Sequence, residues 1–170
     1  MTALFPGSFD PVTLGHTDMI ERTAALIDTV VVAVLDNRHK KCLFSADERA
    51  DLLRRVCAHI NNVDVRVYEG LLYELFEQTG SDVVIRGLRN CAEFETEMQY
   101  AQAFLKVNAR MQTIFMPSKP EHAFVNSSMA REVAAFSGDL RLLLPDVIID
   151  AVRDKFFGRA VDGDNIRFSG

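Results

Sequence analysis

Five apolar segments separated by stretches of helical periodicity constrain this chain more than any other feature. They are Ala3–Phe5, Thr29–Leu35, Val63–Tyr68, Asp82–Arg86 and Gln112–Met116. Several are runs of valine, isoleucine and leucine without polar alternation, as strands covered on both faces must be. The intervening stretches predict helices near Gly15–Ala25, Ala46–Ala58, Leu71–Thr79 and Ala92–Asn108. Ser45-Ala46-Asp47-Glu48 announces the second of these, because serine and glutamate three apart satisfy each other's free helix-end N–H groups. Strands alternating with helices predict a single-domain α/β fold, a doubly wound five-stranded parallel sheet with right-handed crossovers. After the fifth strand, a loop over 117–125 leads to a helix beginning near Ser127. A last helix starts at Pro145, with Ile148, Ile149 and Val152 on one face. The domain should therefore occupy 1–157, and the Gly/Asp-rich tail 158–170 is expected to be mobile.

Composition narrows the partners. A chain of 170 residues can bury roughly 70% of its unfolded surface in one domain. A net charge of −5 argues against nucleic acid, which calls for a basic face. The longest apolar run, Val30–Leu35, is too short to span a bilayer, and no secretory leader is expected from the first residues. Cys42, Cys57 and Cys91 are odd in number and form no C-x-x-C pair. They read as thiols of a reducing compartment, so no metal site is expected and the cytoplasm is the expected location. The cations cluster instead: Arg38, Lys40 and Lys41 in one loop, Arg86 and Arg89 in another. A cationic pocket in an acidic molecule suits a small anionic ligand.

Four segments fall at the carboxyl ends of strands, where open α/β sheets bind ligands. In PGSFDPVTLGH, after the first strand, Gly15 would let backbone approach a phosphate and His16 would add a ring donor at a helix start. The same residues also make an ordinary strand-to-helix turn. Neither G-x-x-x-x-G-K-[ST] nor G-x-G-x-x-G occurs, which excludes the P-loop and the dinucleotide fingerprint. Ile85-Arg86-Gly87-Leu88-Arg89 places two arginines where they reach one crevice or lie solvated on the surface. Arg38-His39-Lys40-Lys41 is a basic loop open to both readings. Phe124-Val125-Asn126-Ser127-Ser128 offers hydroxyls at a helix start, or a plain N-cap. In the fourth helix, Phe94, Met98, Ala101 and Leu105 should face the sheet. Tyr100, Phe104 and Val107 widen its apolar surface, which suits a subunit contact or a thick core.

PGSFDPVTLGH, the KK-x-x-F after the second strand, IRGLR followed by EFETEMQ, and MPSK leading to NSS are together specific. From about Ala3 to Phe157 the chain resembles the bacterial phosphopantetheine adenylyltransferases, members of the nucleotidyltransferase superfamily with a T/H-x-G-H signature. The resemblance implies a Rossmann-like nucleotidyltransferase fold with C-terminal helices. It also implies transfer of AMP from ATP to 4′-phosphopantetheine, with Mg²⁺ carried on ATP, in coenzyme A biosynthesis. By resemblance, His16 and Lys40 would be catalytic. Ser8, Lys40, Leu72 and Arg86 would hold phosphopantetheine. Ser8, Phe9, His16, Gly87, Leu88, Arg89 and Glu97 would bind ATP, joined by the stretch His122, Ala123, Phe124, Val125, Asn126, Ser127 and Ser128. A homohexamer and feedback by coenzyme A are likewise implied. Asn126, where the family often has serine, and Ser8, where threonine is frequent, depart from its pattern while keeping hydrogen-bonding capacity. Sister enzymes that adenylylate nicotinamide mononucleotide or glycerol phosphate share T/H-x-G-H, but IRGLR and EFETEMQ favour phosphopantetheine.

Overall fold

The computed structural model describes residues 1–37 and 41–158. Its strands are β1 (Thr2–Gly7), β2 (Thr29–Leu35), β3 (Val63–Tyr68), β4 (Val83–Leu88) and β5 (Gln112–Pro117). Its helices are α1 (Leu14–Ala24), α2 (Ala46–Val56), α3 (Leu72–Gln78), α4 (Cys91–Val107), α5 (Ser127–Ala135) and α6 (Asp146–Phe157), with a short 3-10 turn at Pro120–His122. The strands form one parallel sheet in the order β3-β2-β1-β4-β5. The α/β expectation therefore holds. Pro145 stands at the N-cap of α6 rather than inside it. The expected tail from 159 onward lies outside the described residues.

Neighbouring strand residues feed two cores. Ala3, Phe5, Val30, Val32 and Val34 pack under α1, α2, α5 and α6 with Ile20, Leu53, Ala130 and Ile148. On the other face, Leu4, Val31, Ala33 and Val84 meet Leu75 and Phe76 of α3. Burial of this kind is worth about 1.5–3 kcal/mol for each large aliphatic side chain. The α2 capping box forms as its spacing predicts: the Ser45 N–H donates to Glu48 Oε2 at 2.7 Å, and the Glu48 N–H to Ser45 Oγ at 3.2 Å.

One expectation is corrected. The stripe of α4 nearest the sheet is Glu93, Glu97, Ala101, Phe104 and Asn108, while Phe94, Met98 and Leu105 are exposed. The acidic residues turn inward because Arg86 and Arg89 await them there, so the apolar stripe is rotated outward. Phe94 still packs edge-to-face on Phe115 at 5.4 Å, although Ile114 on edge strand β5 is exposed.

The sheet order reverses between β1 and β4, and there the ladder is incomplete. β1 pairs with β2 through all its residues but with β4 only at Ala3–Val83 and Leu4–Val84. Pro6 has no N–H to give a ladder. Its carbonyl accepts from Arg86 Nη1 at 3.1 Å instead. Beyond Leu4 and Val84 the two strands part, and a crevice opens at their carboxyl ends, as the switch-point rule expects.

Candidate active site

That crevice is a cavity of about 540 Å³, a size suited to a small-molecule ligand. Phe5, Pro6 and Gly7 form one wall, and Arg86, Gly87 and Arg89 the facing one. The start of α1 supplies Thr13, Gly15 and His16, and the start of α4 supplies Asn90, Glu93, Thr96 and Glu97. His122, Ser118 and Val125 close it from the loop after β5.

The T-x-G-H spacing is the spacing of a capping box. Thr13 is the N-cap of α1, its Oγ1 accepts from the His16 N–H at 3.4 Å, and its own N–H donates to His16 Nδ1 at 3.1 Å. Histidine takes the place that glutamate holds in the usual box. Because Nδ1 accepts, the ring proton sits on Nε2. The ring packs edge-to-face on Phe9 at 5.1 Å. Burial, then the nearby Arg89 guanidinium, lowers the His16 pKa to about 4, although part of the side chain remains accessible to solvent. His16 at pH 7 is therefore a neutral Nε2–H donor.

This shift has a consequence for folding. The unfolded chain takes up the His16 proton near pH 6.5 and the folded chain only near about 4, so the folded state binds fewer protons between those values. His16 should therefore contribute to a loss of stability as pH falls from about 6.5 to 4. Replacing it with asparagine should flatten that part of a denaturation-against-pH profile. An unchanged slope would remove His16 as its source.

Phe9 sits on the far side of the first turn with φ 48° and is 1% exposed. A β-carbon at Gly7 would come within 2.8 Å of the Phe9 ring, so glycine is required there for close packing. Gly15 differs. A β-carbon there would meet only ordinary contacts, the nearest being Val125 O at 3.7 Å. Nothing in the protein demands glycine at Gly15, and alanine is the better helix former by about 0.5–1 kcal/mol. Gly15→Ala should therefore keep or raise the Tm while weakening the binding of any anionic ligand that closely approaches this turn. Unchanged affinity would mean that no ligand approaches Gly15.

The cations of the second motif are held by α4. Arg86 donates to Glu97 through Nε at 2.6 Å and Nη2 at 2.5 Å. Arg89 donates to Glu93 Oε1 from Nε at 2.8 Å and to Val125 O from Nη1 at 3.2 Å. The bidentate Arg86–Glu97 pair and the Arg89–Glu93 pair fix both guanidinium groups at the cavity wall. Behind them, Asp18 pairs with Lys119 at 2.6 Å and Arg22 at 3.1 Å, and Arg22 also donates to Pro117 O at 2.9 Å. Burial raises the Asp18 pKa, but Lys119 and Arg22 more than offset this and hold it below the usual carboxylate range. This cluster fastens α1 to the loop that carries Ser118 and His122.

Of the residues singled out in the sequence, Phe9, His16, Arg86, Gly87, Arg89, Glu97, His122 and Val125 line the cavity together. Ser8, Leu72, Leu88, Ala123, Phe124, Asn126, Ser127 and Ser128 do not. Asn126 Oδ1 caps the Met129 N–H at 2.8 Å, and the Ser127 hydroxyl donates to Pro11 O at 2.8 Å. Leu72 packs with the apolar cluster beneath α3. Lys40 lies outside the described residues. The sequence reading missed Asn90, Glu93 and Thr96. The available signal was Asn90 three residues before Glu93, an N-cap type followed by an acidic residue in the first helical turn.

Among the described residues no group of three His, Cys, Asp or Glu could hold a metal ion. Glu93 and Glu97, the cavity's carboxylates, are engaged by arginines. That donor set fits Mg²⁺ arriving on a triphosphate, which typically keeps phosphate and water ligands. Among the described residues, no helix is long and apolar enough to cross a membrane.

The chain matches the cytidylyltransferase-like family model over residues 4–133. A phosphopantetheine adenylyltransferase of Rubrobacter xylanophilus is 46% identical over 151 residues, 89% of this chain and 92% of the relative. One from Caldanaerobacter subterraneus subsp. tengcongensis is 42% identical over 91% of this chain and 96% of its own. One from Heliobacterium modesticaldum is 39% identical over 97% and 95% respectively. Among solved structures, a Vibrio parahaemolyticus protein provisionally assigned as a nicotinate-nucleotide adenylyltransferase superposes with a TM-score of 0.66 at 19% identity. The superposition covers 92% of this chain and 94% of that one, a likeness of fold alone.

Proposed function

We propose, from the premise that this chain belongs to the cytidylyltransferase-like family and within it to the phosphopantetheine adenylyltransferases, that it transfers the adenylyl group of ATP to 4′-phosphopantetheine, giving dephospho-coenzyme A and pyrophosphate. The observation that carries the reading is the cavity where β1 and β4 part, which gathers His16, Arg86 and Arg89 around one space.

A phosphate oxygen of the acceptor, already anionic at neutral pH, attacks the α-phosphorus of ATP, and the bond to pyrophosphate breaks. No general base is needed. The difficulty is bringing two polyanions into line. Two unit charges about 4 Å apart repel by about 4 kcal/mol at an effective dielectric near 20. Arg86, on the acceptor side with Ser8, Leu72 and Lys40, offsets that repulsion. The neutral Nε2–H of His16 and the guanidinium of Arg89 stabilise charge building on the departing phosphates. Mg²⁺ brought in on ATP would supply further neutralisation of phosphate charge beside these residues. Ser8, which serves both substrates, together with Phe9, Gly87, Leu88, Glu97 and the stretch 122–128 completes the ATP side. Holding the reactants in line can itself supply about 7–11 kcal/mol of the barrier. This is catalysis by positioning and electrostatics.

With ATP labelled at the α-phosphorus, the label should appear in dephospho-coenzyme A and not in pyrophosphate. Label recovered as AMP would mean hydrolysis and would overturn the reading.

The same reading places the protein in the cytoplasm, consistent with Cys42, Cys57 and Cys91 being free thiols. It assigns a homohexamer, supported by the exposed Phe94, Met98, Tyr100 and Leu105 of α4 and Ile114 of β5. A sedimentation mass of one subunit would refute the assembly. Coenzyme A would act as a feedback ligand at the site, and failure to compete with either substrate would refute that.

A further inference from the structure

Asp18 follows His16 by two residues in α1 and is 5% exposed, although both of its cationic partners reach solvent. Its carboxylate pairs with Lys119 Nζ at 2.6 Å and accepts from Arg22 Nη1 at 3.1 Å. The same Arg22 Nη1 donates to Pro117 O at 2.9 Å. Two positions one turn apart on α1 thus grip the two residues that flank Ser118. The Ser118 N–H is held from another side, donating to Leu88 O of β4 at 2.8 Å. Together these bonds set the path of the chain out of β5.

Lys119 passes its position on. It is the N-cap of the 3-10 turn Pro120–His122, and its carbonyl accepts the His122 N–H at 2.9 Å. Val125 follows, its N–H donating to His122 O at 3.0 Å and its carbonyl accepting from Arg89. A β-carbon at Gly15 would stand 3.8 Å from His122 Cβ, so the start of α1 and this turn already meet. One ion pair therefore ties the cavity wall that bears His16 to the wall that bears His122. Stability alone is a poor reason for it. Burying a carboxylate is costly, and apolar packing of similar volume often joins two elements as well or better. A hydrogen-bonded ion pair adds register, because it accepts one separation of its partners where apolar contacts tolerate several.

We propose that Asp18, through Lys119, is a positioning residue for the nucleotide half of the reaction, holding His16 and the turn that carries His122 at one separation. It rests on the adenylyl-transfer reading, in which His16, His122 and Val125 serve ATP and none of them the acceptor. Asp18 does not line the cavity and acts only through these residues. Misplacing a reacting group by about 1 Å can cost about 10²-fold in rate, so a small shift between the two walls has a readable effect.

The test measures the calorimetric Kd for MgATP, kcat, separate KM values for ATP and 4′-phosphopantetheine, and Tm in the full chain. The variants are Asp18→Asn, Lys119→Met, Lys119→Arg, the double Asp18→Asn with Lys119→Met and, as a control in the core of α1, Ile20→Val. Asp18→Asn should lower kcat by about tenfold and weaken MgATP by about fivefold, with the KM for 4′-phosphopantetheine within about twofold of wild type. Lys119→Met should do the same, and Lys119→Arg should recover most of the loss. Because the two residues act through one bond, the double variant should fall no more than about twofold below the more impaired single variant. Ile20→Val should lose Tm and keep every kinetic constant. If Asp18→Asn does not fold, Lys119→Met and Lys119→Arg decide, since the Lys119 side chain is half exposed. The role is overturned if the variants keep wild-type constants for ATP, if both substrates are affected equally, if the double variant shows the product of two separate losses, or if Ile20→Val reproduces the kinetic loss. A wild type that binds MgATP but transfers to no acceptor would overturn the reaction, and the Kd series alone would then uphold or overturn the hold of Asp18 on the nucleotide. A wild type that does not bind MgATP would overturn both.

Discussion

His16→Ala should lower kcat by about 10²–10³ while changing the Kd for ATP by less than about tenfold. The asymmetry follows from what His16 offers. Its Nδ1 is committed to the Thr13 N–H, and burial keeps the ring neutral, so one fixed N–H remains on Nε2. A single neutral donor adds little to a ground state already held by arginines. It gains most when negative charge collects on the departing pyrophosphate. The variant also breaks the α1 capping box, a cost of about 0.5–2 kcal/mol in stability, so Tm must be followed beside the kinetics. Calorimetric titration with ATP and steady-state turnover settle the point. Equal losses in Kd and kcat would make His16 a ground-state binder.

Arg86→Gln carries the second large effect, with kcat/KM for phosphopantetheine falling about 10³-fold. Two causes combine. The cation proposed to face the acceptor phosphate is lost, and Glu97, which accepted both Nε and Nη2, is left as an uncompensated anion on the cavity wall. At an effective dielectric near 20 a stray unit charge about 4 Å from phosphate is worth about 4 kcal/mol. Arg86→Gln combined with Glu97→Gln should therefore be about tenfold more active than Arg86→Gln alone. A double variant no better than the single would show that Glu97 does not repel the substrate once Arg86 is gone.

The sheet was legible because several segments, β2 above all, are apolar runs without polar alternation, while edge strand β3 alternates as VDVRVY. The Ser45–Glu48 box was legible because both partners are of the usual type. The His16 box was not, because a histidine in the glutamate position looks like a ligand residue rather than a cap, and here it is built as a cap. The parting of β1 from β4 leaves little trace in sequence beyond Pro6, since it depends on which neighbour each strand acquires. Arg49 and Asp10 are charged residues that composition assigns to the surface. Only the segments converging on them explain their burial, with Arg49 donating to Ser8 O and Leu35 O and Asp10 accepting from the Leu43 and Phe44 N–H groups. In α4 the period was read correctly, but the face was not. Helical spacing cannot say that two inward glutamates will outcompete an apolar stripe for the side holding arginines. Asn126, Ser127 and Ser128 fit a phosphate cradle or a cap equally on paper. Asn126 caps α5 through Oδ1, a bond compatible with either.

The account's central claim is met most directly by pyrophosphate release from MgATP with 4′-phosphopantetheine, nicotinamide mononucleotide and glycerol phosphate offered in parallel. Release with phosphopantetheine alone, accompanied by a product of the mass of dephospho-coenzyme A, is the predicted result. Release only with one of the other acceptors, or with none from a folded protein that binds ATP, would contradict it.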